Sequence, residues 1–203
     1  MKLYITYSSP YARLARIVVL EKGLERQVEL IVAQTRTAGS AYYTTNPSGR
    51  VPYLVRDDGI GLEDSSLICS YLDGLDGEAL YALPSGEDGW QARRLEVMAR
   101  SMLDGLAVWG RELGRPTNEH SPTILAHELA RSQRMADGWE ETIGRPHMQG
   151  RLNMAQITLI SGLQLELRNP EFSWRQGRPR LSGWADRVSK LQSVAATTPP
   201  ALP

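Results

Sequence analysis

Hydrophobic and polar positions alternate over Lys2–Thr6 around Leu3, Tyr4 and Ile5, which predicts a buried strand. From Pro10 onward the spacing becomes helical. Leu14, Ile17, Val18 and Leu20 share one side of residues 11–22, with Arg13 and Arg16 on the wetter side. Pro10 suits the first helical position and Gly23 stops the run. Residues 27–32 predict a second strand. Strand, helix and strand within about 30 residues form a βαβ unit, so the two strands are expected to be parallel. Residues 34–45 are polar and rich in Ala and Tyr, and predict a loop with a short helix.

The stretch from Asn46 to Leu72 carries the densest signals. Asn46-Pro47-Ser48-Gly49 is turn chemistry. Val51–Val55 predicts a short strand with Pro52 at its start, where a missing N–H is tolerated. Asp57-Asp58-Gly59 predicts a tight hairpin turn, and Ile60–Leu62 the returning strand. Asp64-Ser65 reads as a helix start, with Ile68, Tyr71, Leu72 and Leu75 following at helical spacing. The order β-α-β-α-β-β-α predicts an α/β domain with a small four-stranded mixed sheet and helices on its faces.

After Leu75 the pattern changes. Residues 77–89 are rich in Gly and acidic side chains and predict a linker between a first domain at 1–76 and an all-α second domain at 90–203. Leu95, Met98, Ala99, Met102, Leu103 and Leu106 form one apolar stripe. Leu125, Leu129, Ser132, Ala136, Trp139 and Ile143 form another. Asn153 and Gln156 match a capping box, in which Gln156 bonds back to the Asn153 N–H, ahead of an almost wholly apolar helix at 157–167. Residues 179–191 predict a last amphipathic helix, and the tail from Val194 is expected to lie irregularly on the surface.

Composition excludes several classes of function. The chain has 203 residues, and 23 Lys plus Arg balance 23 Asp plus Glu. A basic excess for nucleic acid or an anionic membrane is absent. No apolar run is long enough to span a bilayer, and the N-terminal stretch lacks a secretory signal pattern. The single cysteine, Cys69, rules out an internal disulfide and any dithiol mechanism within one chain, which fits a reducing cytoplasm. His120, His127 and His147 have no partners at metal-ligand spacing, so no metal is expected. Phosphate-cradling, nucleophile-elbow and zincin motifs are missing.

Several motifs in fixed order carry a resemblance. Ser8-Ser9-Pro10-Tyr11 opens the first helix. Asn46-Pro47-x-Gly49-x-Val51-Pro52 and Asp64-Ser65-x-x-Ile68-x-x-Tyr71-Leu72 follow. In the second half come Leu152-Asn153, Trp174-Arg175, Pro179-x-Leu181-x-x-Trp184 and Ser193-Val194-Ala195-Ala196-Thr197. Together they resemble a cytosolic glutathione transferase along the whole chain, closest in detail to bacterial members, with a first domain similar to thioredoxin.

The resemblance implies a site and a chemistry. Val51-Pro52 would be cis, and the Val51 backbone would pair with the cysteinyl part of glutathione. Ser65 and the free N–H groups at its helix start would hold the γ-glutamyl carboxylate. Asp64 would accept from the γ-glutamyl ammonium, with Glu63 a competitor. Ser9 stands where thioredoxin has its first cysteine, and Ala12 where it has the second, so hydrogen-bond donation replaces disulfide exchange. Its hydroxyl would favour the glutathione thiolate over the thiol. Ser8 is the runner-up. Arg50 would reach the glycyl carboxylate. Tyr11 and Trp109 would line an electrophile pocket. The implied activity is conjugation of glutathione, the co-substrate, to a small hydrophobic electrophile by a homodimer that serves detoxification. Alternatives are a non-catalytic binder of glutathione or hydrophobic ligands with this fold, or a glutathione-dependent peroxidase or isomerase.

Overall fold

The computed structural model describes residues 1–200. The chain divides into two compact units, Met1–Tyr81 and a second beginning at Ala82.

The first unit runs β1 (Lys2–Ile5), α1 (Pro10–Glu21), β2 (Glu29–Val32), α2 (Tyr42–Thr45), β3 (Tyr53–Val55), β4 (Gly61–Glu63) and α3 (Ser65–Asp73). Strand order is β2-β1-β3-β4. β2 lies parallel to β1, while β1 with β3 and β3 with β4 are antiparallel. Leu3, Ile5 and Leu54 sit fully buried on the sheet with Leu14, Ile17, Val18, Ile68 and Leu72 from α1 and α3. The hairpin is closed by Gly59, whose φ of 83° suits a residue without Cβ. Gly61 is required for a different reason. A Cβ there would lie 1.8 Å from the Tyr53 hydroxyl, so the ring covers the glycine directly.

Arg13 does not sit on the wet side of α1. It is 1% exposed, and burial together with the neighbouring Arg16 pushes its guanidinium down to about 9. α1 buries residues on most of its circumference, which one apolar stripe could not reveal. At the far end of this helix Lys22 is also enclosed. Its ammonium lies 3.6 Å from Asp73 and 2.7 Å from Asp76, and donates to the Glu78 carbonyl. Asp73 in turn accepts from the N–H groups of Leu80 and Tyr81. This ionic knot fixes the stretch after α3, and no periodicity announced it.

The second unit is helical: α4 (Gly86–Leu113), α5 (Pro122–Thr142), α6 (Pro146–Gln149), α7 (Met154–Leu163), α8 (Pro179–Val188) and α9 (Gln192–Ala195), with 3-10 turns at Thr117–Glu119 and Gln164–Leu167. Residues 86–89, expected in the linker, are the first turn of α4. Every residue from Ala155 to Leu163 on α7 is buried, so that helix forms the centre. Asn153 caps it through a bond from Gln156 N–H at 3.1 Å. The return bond differs from the expected box: the Gln156 side-chain amide donates to His147 C=O at 3.4 Å, because it presents its NH2 group to that carbonyl. The tail also departs from expectation. Val194 and Thr197 are buried, with Val194 on α9 and the Thr197 hydroxyl bonded to the Ser193 carbonyl. Residues 201–203 of that predicted tail lie outside the described residues.

Candidate functional site

Strand register brings the marked residues of the first unit to one end of the sheet. Tyr4 pairs with Tyr53, and Tyr53 pairs with Glu63. The loop leaving β1 at Thr6–Ser9, the segment entering β3 at Val51-Pro52, and the exit from β4 at Asp64-Ser65 therefore lie side by side. β1 and β4 run in the same direction, since each is antiparallel to β3. The helices that follow them, α1 and α3, accordingly begin at the same edge. Two helix N-termini, each carrying the partial positive charge of its helix dipole, open toward one place.

Ser9 caps α1. Its Oγ accepts from Ala12 N–H at 3.2 Å, which leaves the hydroxyl proton free to donate elsewhere. Ser9 is half-buried, whereas Ser8 is exposed in the preceding turn. Tyr11 is half-buried in the first turn of α1. Beside this turn the Arg16 guanidinium stacks 4.8 Å over the Tyr7 ring, adding positive charge to the same loop.

Asp64 caps α3. One of its oxygens accepts from Ser66 N–H at 2.7 Å and Leu67 N–H at 3.4 Å. Its φ of 77° is rare for a residue with a Cβ, and marks a strained position of the kind that gathers at functional sites. Ser65, the first helical residue, is 2% exposed. Glu63 is otherwise engaged, accepting from the Ser48 hydroxyl at 2.6 Å.

Val51 precedes β3, and the Val51–Pro52 bond is cis. Neither its N–H nor its C=O is hydrogen-bonded among the described residues. The Arg50 side chain is exposed, but the Arg50 carbonyl is heavily engaged. It accepts from the Tyr42 hydroxyl at 2.5 Å and from the Asn46 side-chain amide at 3.0 Å. The same amide donates to the Tyr42 oxygen at 3.3 Å, closing a triangle. Asn46 Oδ1 accepts from Ser48 N–H, and the residue is 1% exposed. Burial pushes the Tyr42 phenol up, against the lowering effect of its bond from Asn46, so the group stays a proton donor. Sequence reasoning read Asn46 as a turn former and passed over Tyr42. The signal was their i, i+4 spacing beside the Pro-Ser-Gly turn.

Trp109 is corrected by the structure. It is 1% exposed, with its ring 6.3 Å from Phe172, and offers no face to a ligand. Its position three residues beyond Leu106 continues the buried stripe of α4, which is why it packs inward. Cys69 is buried on α3, and among the described residues no His, Cys, Asp and Glu cluster could hold a metal ion.

Comparison with known proteins agrees with this architecture. Residues 3–79 match the family model of the glutathione S-transferase N-terminal domain. An uncharacterised GST-like protein of Escherichia coli K12, YibF, is 29% identical over 98% of this chain and 99% of its own length. A crystal structure of a glutathione transferase family member from Pseudomonas fluorescens Pf-5, with bound glutathione, superposes with a TM-score of 0.86 at 28% identity over 98% of both chains. A glutathione S-transferase from Methylobacillus flagellatus KT, also with glutathione bound, superposes at 0.85 with 26% identity over 98% of this chain and 99% of that one. The first unit has the thioredoxin-like arrangement of this fold, and the second its helical part.

Proposed function

We propose that this chain, whose residues 3–79 match the glutathione S-transferase N-terminal domain and whose full length resembles glutathione transferases, is a member of that family that binds glutathione in its first unit and transfers the glutathionyl group to a small hydrophobic electrophile. The observation that carries the reading is the edge where two helix N-termini meet a hydrogen-bond-ready Val51 backbone. Glutathione is a peptide with carboxylates at both ends and a thiol in the middle, so it matches that edge part by part.

Each residue then has a task. Val51 pairs its N–H and C=O with the cysteinyl backbone like an added strand. The start of α3, with Ser65, takes the γ-glutamyl carboxylate. Asp64 takes the γ-glutamyl ammonium through the carboxylate oxygen that does not cap the helix. Arg50 is long enough and exposed enough to meet the glycyl carboxylate. Ser9 donates its hydroxyl proton to the sulfur, and the α1 N-terminus adds a favourable field for the thiolate. Tyr11 is the candidate for contact with the electrophile. The thiol proton leaves to solvent, the thiolate attacks the electrophilic carbon, a C–S bond forms, and with an aryl halide the halide departs with its bonding pair. The resident nucleophile belongs to the substrate, so no protein residue becomes covalently modified.

Retention on immobilised glutathione, followed by a conjugation assay with an aryl halide, tests both halves. Retention with turnover is expected. Failure to bind glutathione refutes the reading, while binding without turnover across several electrophiles converts it to a binding protein of the same fold.

A further inference from the structure

The Arg50 carbonyl and the Val51 N–H belong to a single peptide group. That group is planar, and this bond is trans, so its N–H points opposite to its C=O. Two donors, the Tyr42 hydroxyl at 2.5 Å and the Asn46 amide at 3.0 Å, hold the carbonyl from behind. We infer that Tyr42 and Asn46 are positioning residues, which fix the plane of the 50–51 peptide so that the Val51 N–H is presented to the backbone carbonyl of a peptide-like ligand. The inference rests on the glutathione reading above, and adds to it residues that touch no substrate.

Three observations support it beyond the two bonds. Asn46 is nearly inaccessible and uses both ends of its side chain, donating to Arg50 and Tyr42 while accepting from Ser48 N–H at 3.1 Å. The Tyr42 ring is itself held, with the Tyr4 ring centroid at 5.3 Å and that of Tyr43 at 6.4 Å. Gly49, at φ 66°, lies under the Tyr43 ring, where a Cβ would be 2.7 Å from Cε1, so the loop and α2 are moulded to each other. Placing two donors on a carbonyl whose partner N–H has no hydrogen bond among the described residues has a further electronic consequence. Hydrogen bonds to a C=O polarise the whole amide, making its N–H a stronger donor.

The test uses the full chain. Tyr42→Phe removes the hydroxyl and keeps the ring. Asn46→Ala removes the second donor. Tyr43→Phe is the control, because the Tyr43 hydroxyl accepts from Thr37 N–H at 3.1 Å and does not touch the 50–51 peptide. Glutathione affinity is measured by titration calorimetry, KM and kcat by the conjugation assay, and the Val51 amide 15N–1H resonance by NMR in the free protein. Tyr42→Phe is expected to raise the glutathione Kd and KM roughly threefold to tenfold with little change in kcat, the size of one or two lost neutral hydrogen bonds. The Val51 amide proton should move upfield in the same variant, and Tyr43→Phe should change neither quantity. An unchanged Kd or an unmoved Val51 resonance in Tyr42→Phe overturns the inference, and so does an equal loss in Tyr43→Phe. If Asn46→Ala fails to fold, Tyr42→Phe alone decides. Wild-type protein that binds no glutathione overturns the ligand reading, and the inference's ligand with it. Wild-type binding with indifferent variants overturns the inference alone.

Discussion

Replacing Ser9 separates two roles that share one oxygen. As a cap, Ser9 Oγ satisfies Ala12 N–H at 3.2 Å, near the long end for such a bond. Ser→Ala at a cap costs about 1 kcal/mol, and Ser→Gly only a few tenths. As a donor to sulfur, Ser9 should bring the glutathione thiol from about 8.5 toward about 7. At pH 7 the thiolate fraction is then about one half, against about 3% without that help, so Ser9→Ala and Ser9→Gly should each lose about fifteenfold in kcat at pH 7. The sign follows from the ionisation: a depressed thiol pKa helps most at and below neutral pH, and the deficit should shrink toward unity above pH 9, where every thiol is ionised. Ser9→Thr keeps the hydroxyl and should restore most of the rate. The assay is aryl-halide conjugation between pH 6 and pH 9.5, with the bound thiolate followed by its absorbance near 240 nm. Urea unfolding of the free protein reads the cap separately. Ser9→Gly with near-native stability and a lost low-pH rate supports the donor role. A pH profile that does not move in Ser9→Gly, or one that moves in Ser8→Ala instead, refutes the assignment.

Other consequences are as concrete. Trp109→Ala should destabilise the protein by about 3–5 kcal/mol in urea unfolding, because it empties a core position against Phe172; an unchanged urea midpoint with an altered electrophile KM would place Trp109 in an open pocket after all. Glu140 accepts from the N–H groups of Leu181 at 2.7 Å and Arg180 at 3.1 Å, capping α8 from α5. Burial works against its charge, but those two bonds and the Arg180 guanidinium hold its carboxyl below the usual range. A depressed carboxyl stabilises the fold above its unfolded pKa of about 4.3 and ceases to do so as pH falls through the folded value. Glu140→Gln should therefore lose about 1–2 kcal/mol at pH 7 and approach wild type at acid pH; a gap of constant size across that range would show that the carboxylate's charge is irrelevant.

Much of the site could be read from the chain because its parts are local. Ser9-Pro10 is a cap followed by a preorganised first turn, Asp64-Ser65 is another helix start, and Asp57-Asp58-Gly59 closes a hairpin within its own few residues. Such signals involve neighbours in sequence, so propensity and spacing expose them. Strand ends were less sharp. β3 begins at Tyr53 rather than Val51, and β4 at Gly61 rather than Ile60, since pairing and not composition sets where a ladder starts. Arg13 and Trp109 were misplaced for the same reason: a helix face is polar or apolar by sequence, but buried or exposed only by what packs on it.

By itself the sequence determined the order of elements, the two helix starts, and the turn that delivers Val51, because each depends on backbone chemistry within a few residues. Only the tertiary structure decided that these three places share one edge, through the β1–β3–β4 register, and that Tyr42 and Asn46 grip the peptide beside Val51. Convergence is a property of strands that are remote in sequence, and the direction of one peptide N–H is set by side chains whose spacing hints at a contact but does not say which carbonyl they hold. The Lys22–Asp73–Asp76 cluster belongs with them, since the buried Lys22–Asp73 pair and the partly exposed Lys22–Asp76 contact, 54 positions apart in the chain, form only after the fold has brought them together.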